Sequence, residues 1–148
     1  MGRLAGLNQL QKILTIICDI EALRMANKPA NAAQKQWMKD IASWASSGGI
    51  DFLYGCDDPK GFQLHHVLGR SAKHNKVHIG HWFIIPVPFT YHDIDEKNNL
   101  NVSYFKHNFT DEFGKQSALY DSMCADMLMM HYDTPPYNVY KSIMDTKA

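Results

Sequence analysis

Histidine is the one excess in this composition: eight in 148 residues, most of them between positions 65 and 107. Near neutral pH an imidazole can bind a divalent cation through an unprotonated ring nitrogen. With an ordinary pKa of ~6.5 it can also take a proton from water. Three short runs carry the candidates: Leu64-His65-His66-Val67, His81-Trp82-Phe83-Ile84-Ile85-Pro86 and Tyr91-His92-Asp93-Ile94-Asp95-Glu96. His92 and Glu96 are four apart, the spacing that shares one face of a helix. A strand end packed on that helix would gather His65, His92 and Glu96 around one cation. Two imidazoles and an oxygen leave coordination positions for water and a phosphate oxygen, as in a catalytic rather than a structural metal site. His66 would then be free as a general base, with the metal stabilising charge on the phosphate and its leaving oxygen. Any one of these histidines taken singly reads more readily as an exposed or satisfied polar residue than as a ligand, so the weight lies on the ordered set.

The elements that must position them follow from periodicity. Leu4, Leu7, Leu10, Leu14, Ile17, Ile20 and Leu23 make one apolar stripe, predicting a helix over 4–26 that Asn27, Lys28 and Pro29 end. A second helix starts near Asn31 and runs through Trp37, Ile41 and Trp44 to the break at Ser46-Ser47-Gly48-Gly49. Residues 50–54 and 62–67 read as strands, 69–81 as a polar, basic loop, and 82–87 as a buried strand stopped by Pro86 and Pro88. A short helix from Thr90 or Tyr91 through Lys97 follows, then helices over 101–112, 115–131 and 137–144. Leu119, Met123, Met127, Leu128 and Met130 read as core. The expected class is α+β: a mostly helical single domain over 1–148, with a helical part at 1–48, a site-bearing core at 50–100 and C-terminal helices at 101–148.

The ordered set resembles the HNH, or ββα-metal, endonucleases. HHVxGR at 65–70, WFIIPV at 82–87, the YH of Tyr91-His92, and F-x-x-x-F-G-x-Q-x-x-L from Phe109 to Leu119 are similar to phage-type members, the Ref recombination-enhancement nucleases foremost. The resemblance covers roughly 62–120. It implies a ββα-metal core, His65 and His92 as metal ligands with Glu96 one turn later, and His66 as the general base. His81 stands near the family's middle position, usually Asn, which holds the base in orientation. Mg²⁺ is the implied ion, with Mn²⁺, Ni²⁺ or Zn²⁺ also suited to imidazole ligands. The implied reaction is hydrolysis of a DNA phosphodiester, by a phage or mobile-element protein. Many relatives carry CxxC pairs for a structural zinc; here Trp82, Phe83 and Phe89 must pack instead. Ref also depends on a basic N-terminal extension and on RecA; here an apolar-striped helix is expected at the start instead, so that dependence is not carried over.

Lys plus Arg and Asp plus Glu each total 15, a formal net charge of zero, which excludes a protein that grips nucleic acid by bulk charge. Lys60, Arg70, Lys73 and Lys76 nevertheless cluster around the histidines, and His74 and His78 add donors. They are the expected DNA-phosphate contacts, positioning the backbone without reading sequence. No reader module is visible. Cys18, Cys56 and Cys124 form no CxxC pair and read as reduced, buried residues. No apolar run approaches membrane-spanning length and the start lacks a signal peptide's features, so the expected location is the cytoplasm, with no membrane partner. Two other functions fit the same residues. One is an inactive HNH-like module binding DNA or, through the N-terminal helices, a protein partner; the other is a structural zinc protein.

Overall fold

The computed structural model describes Gln9, Lys12, Ile13 and residues 29–148. The predicted helix over 4–26, with Cys18, thus lies almost wholly outside the described residues.

Helix α1 (Ala32–Trp44) begins at a capping box: Asn31 accepts from the Gln34 backbone N–H, and Gln34 reciprocates. Its buried stripe is Trp37, Ile41 and Trp44, spaced four and three apart, so this face packs into the core. The chain kinks over Ala45–Gly49, where Gly48 takes a φ of 110°. It then continues as helix α2 (Ile50–Tyr54), where a strand was expected. Ile50 and Tyr54, four apart, are both buried, and Phe52 meets Trp44 edge-on at 5.9 Å. Five apolar-rich residues carry too little periodicity to separate a strand from one turn and a half of helix; packing decided.

Strand β1 (Phe62–His66) pairs antiparallel with β4 (Ile84–Pro88), Phe62 opposite Pro88 and His66 opposite Ile84. Between them, the segment read as plain loop contains a small hairpin, β2 (Lys73–His74) and β3 (Val77–His78). Its two-residue turn, Asn75-Lys76, has φ of 50° and 66°, the mirror-image turn geometry that matches strand twist. The strand β4 runs through Pro86 and Pro88 rather than stopping at them. In a two-stranded sheet its outer edge needs no N–H donors, so proline is tolerated there.

Helix α3 (Phe89–His92) is capped by Asp58, which accepts from the Thr90 backbone N–H and hydroxyl. It ends at Asp93, whose ψ of 132° is extended, and a 3₁₀ turn, Ile94–Glu96, follows. The single helix expected through Lys97 is therefore two pieces. Residues 98–105 are turns, because Asn98 and Asn101 hydrogen-bond nearby backbone N–H groups in place of helical carbonyls. Helix α4 (Lys106–Phe113), α5 (Gln116–Met129) and α6 (Tyr137–Asp145) complete the described chain.

The core lies where α1, α2, α5 and β4 meet. Phe83, Ile84, Ile85 and Val87 are fully buried with Ile41, Tyr120, Met123 and Met127. Polar tips are satisfied across elements: the Trp37 indole donates to the Trp82 carbonyl, Trp44 to Asp126, and the Tyr54 hydroxyl to the Pro86 carbonyl. Two expected core residues, Leu128 and Met130, are instead exposed on the outer side of α5 and just beyond it, and Cys56 is exposed where burial was expected. Cys124 is buried, which pushes its thiol up to about 12. The class is mixed α+β, and among the described residues no helix is long and apolar enough to cross a membrane.

Candidate active site

Four histidines collect at the end of β1, in two pairs. Alternation along the strand places Gln63 and His65 on one face and Leu64 and His66 on the other. His65 turns toward α3, and its Nδ1 lies 3.2 Å from Nε2 of His92, the rings edge-on at 5.1 Å. His92 Nδ1 bonds Gln63 Oε1. An amide oxygen only accepts, so the proton sits on Nδ1 and the Nε2 lone pair is directed at His65. In the metal-free protein His65 Nδ1–H donates to that lone pair.

That separation also suits chelation. Two nitrogens each ~2.1 Å from one ion, at octahedral to tetrahedral bond angles, stand roughly 3.0–3.4 Å apart. Burial pushes the protonation of both rings down, His65 to about 4, helped by His92, His66 and Lys106 nearby. At neutral pH both rings are therefore uncharged and able to ligate. An ion between them would displace the shared proton and leave His65 protonated at Nε2. Gln116 stands beside His65 and offsets part of the lowering of its protonation. The residues present fit a divalent cation held from one side by two imidazoles. Among the described residues no third His, Cys, Asp or Glu joins them. Glu96 was expected on a helical face shared with His92. The end of the helix at Asp93 removes that relation, and the side chain of Glu96 lies outside the described part.

His66 faces the other way and meets the ring of His81 edge-on at 5.5 Å. Its Nε2 is buried and makes no hydrogen bond. Burial, then Arg70, then His81 lower its protonation to about 4. The ring is thus in its base form at neutral pH, though less basic than the ordinary value expected from sequence. An anionic phosphate approaching Arg70 would offset part of that lowering. Beyond β1, Val67 donates to the Phe83 carbonyl and Gly69 to the His66 carbonyl, turning the chain back toward the hairpin.

Gly80 sets the loop that carries Arg70 and His81. A Cβ there would lie 2.1 Å from the Arg70 carbonyl oxygen, so only glycine lets these two backbones approach. Ile79 and Gly80 both donate to the Ala72 carbonyl, closing the hairpin against the Gly69–Ala72 turn. Of the four expected phosphate contacts, Arg70 borders His66, while Lys73 and Lys76 project on the hairpin, exposed. Lys60 lies elsewhere. It precedes β1 at the end remote from His66, its ammonium 5.9 Å from the Phe89 ring centroid.

Sequence reading missed Gln63 and Lys106, and gave Gln116 only as part of a pattern. The Gln63 signal was available, since residue 63 shares a strand face with 65; the approach of α4 to β1 had no local signal. Comparison with protein-family models, with curated proteins and with solved structures finds no match to this chain.

Proposed function

We propose that this chain is a divalent-metal-dependent DNA endonuclease or nickase of the HNH type, acting in the cytoplasm of the cell that holds its substrate. One observation carries the reading: His65 Nδ1 and His92 Nε2 converge at 3.2 Å, with Gln63 fixing the His92 tautomer. The order strand, hairpin-bearing loop, strand, helix around that pair also agrees with the resemblance of residues 62–120 to that family.

His65 and His92 would hold the ion, Mg²⁺ by the family resemblance, with Mn²⁺, Ni²⁺ or Zn²⁺ favoured by the nitrogen donors. When bound, it supplies Lewis-acid stabilisation of charge on the scissile phosphate and its leaving oxygen. His66 would accept a proton from the attacking water, and His81 packs against its ring. Arg70 neutralises a phosphate oxygen and, by doing so, leaves His66 the stronger base. Lys73 and Lys76 extend the phosphate track along the hairpin. With zero net charge overall, binding is modest and falls steeply with salt.

The test is supercoiled-plasmid cleavage with Mg²⁺, Mn²⁺ or EDTA, with His66→Ala prepared in parallel. Relaxation that needs metal and vanishes in His66→Ala is the expected result. Equal cutting by both proteins, or no cutting with any metal, counts against the reading.

A further inference from the structure

Just before α4 the chain exposes two aromatic rings that make no ring contact with the rest of the described fold. Tyr104 is 66% and Phe105 45% exposed, at the end of a turn that leads into α4. Exposed rings on a loose loop would carry little meaning, but this segment is held firmly. Val102, 1% exposed, donates to the Tyr91 carbonyl, and the buried Asn101 amide donates to the Asp93 carbonyl. The Asn101 side-chain oxygen accepts from the Ser103 and Tyr104 N–H groups, and the Asn101 carbonyl accepts from Phe105. The turn is thus bonded to the residues on either side of His92. The next residue after the two rings, Lys106, is near enough to His65 to oppose its protonation, so the turn lies in the neighbourhood of the His65–His92 pair.

The neighbouring charges narrow what such rings could receive. Lys106 adjoins them, but Asp93, Asp95 and Asp111 lie in the same stretch of chain, so the surface is not simply basic. A purely electrostatic phosphate site is poorly served by that mixture. Flat rings beside one cation suit a nucleobase, whose face stacks on an aromatic side chain whatever its sequence. Bases paired and stacked within a duplex do not offer a free face; unpaired ones do.

We propose that Tyr104 and Phe105, flanked by Lys106, form a stacking platform for an unpaired base within a few nucleotides of the cleaved phosphate. The favoured substrate is then DNA with single-stranded character, such as a strand, flap or bubble. This inference rests on the nuclease reading of the histidine cluster.

The test measures binding of the full chain in EDTA, where no cutting occurs, to a labelled single strand, the matching duplex and the same duplex with a central bubble. Tighter binding to strand and bubble is expected. Tyr104→Ala/Phe105→Ala should weaken both by at least about fivefold per ring removed, with duplex binding little changed. Tyr104→Phe should retain the preference, and thermal melting should show the exposed double variant folded as the parent. Equal losses on all three DNAs, no loss on any, or no DNA binding by the parent would overturn the platform. Plasmid cleavage is run beside it. Ring-dependent strand binding without cleavage supports the platform while removing the nuclease reading. Metal-dependent cleavage without a preference for unpaired DNA removes the platform alone.

Discussion

Two histidine pairs flank the same strand, and their rings meet in nearly the same way, edge-on at 5.1 Å for His65–His92 and 5.5 Å for His66–His81. Their nitrogens differ. In the first pair two nitrogens converge at 3.2 Å, backed by the amide of Gln63 and with Gln116 beside His65. In the second, His66 Nε2 is buried and makes no hydrogen bond, and Arg70 stands near. Ring contact therefore says little about task. Which atoms are left with a lone pair, and what faces them, would separate a ligand pair from a base and its support under the proposed function. Adjacent residues on a strand fall on opposite faces, which lets two neighbours be given different work.

The sharpest way to break this contrast is to delete one ring from each pair. His66→Ala should lower cleavage by about 10²–10⁴-fold, the range of a lost general base, while metal affinity stays within twofold. His92→Ala should abolish both, read by metal titration against a chromophoric chelator. Loss of metal binding in His66→Ala would merge the two pairs into one site. A smaller effect is expected from Gln63→Ala, which frees the His92 tautomer: about 10–100-fold weaker metal binding with the fold intact, the range for a lost outer partner. Unchanged affinity would show that Gln63 does not orient the ring.

Gly80→Ala addresses the second pair through its loop. The backbone must move to admit a methyl group, costing about 1–3 kcal/mol and lowering Tm by several degrees. Cleavage should fall further than metal affinity, since Arg70 and His81 move and His65–His92 does not. The smallest effect is on pH-dependent stability in EDTA. The folded state holds His65 and His66 near 4, below their ordinary 6.5, so the unfolded chain binds more protons between those values. Stability contributed by these rings is whole above about pH 6.5 and drains as pH falls toward 4. Tm in EDTA should drop by a few degrees from pH 7 to pH 5. His65→Ala and His66→Ala should each flatten that slope.

Much of the scaffold was legible locally. Asn31 with Gln34 announces the start of α1, and Trp37, Ile41 and Trp44 announce its buried face. The run Phe83 to Val87 announces a buried segment, and 116–129 a helix. These signals are written in spacing and capping, which neighbouring residues settle among themselves. Ile50–Tyr54 was misread because five residues do not fix a period, and the helix through Lys97 because Asp93 caps the next turn instead of continuing the first.

Sequence alone determined which residues are candidates for chemistry, the histidines and their order along the chain, and the zero net charge that rules out binding by bulk electrostatics. Only the tertiary structure decided their partners. His65 and His92 are 27 positions apart, and an antiparallel pair and a one-turn helix bring their nitrogens within bonding distance. The same packing separated Glu96 from His92, left Lys60 at the far end of β1, and put Gln63 and Lys106 at the site. The physical reason is one of range. Helix caps and periodic faces depend on contacts a few residues away, whereas a ligand pair depends on how whole elements pack, which the burial of the core around β4 settles for the molecule at once.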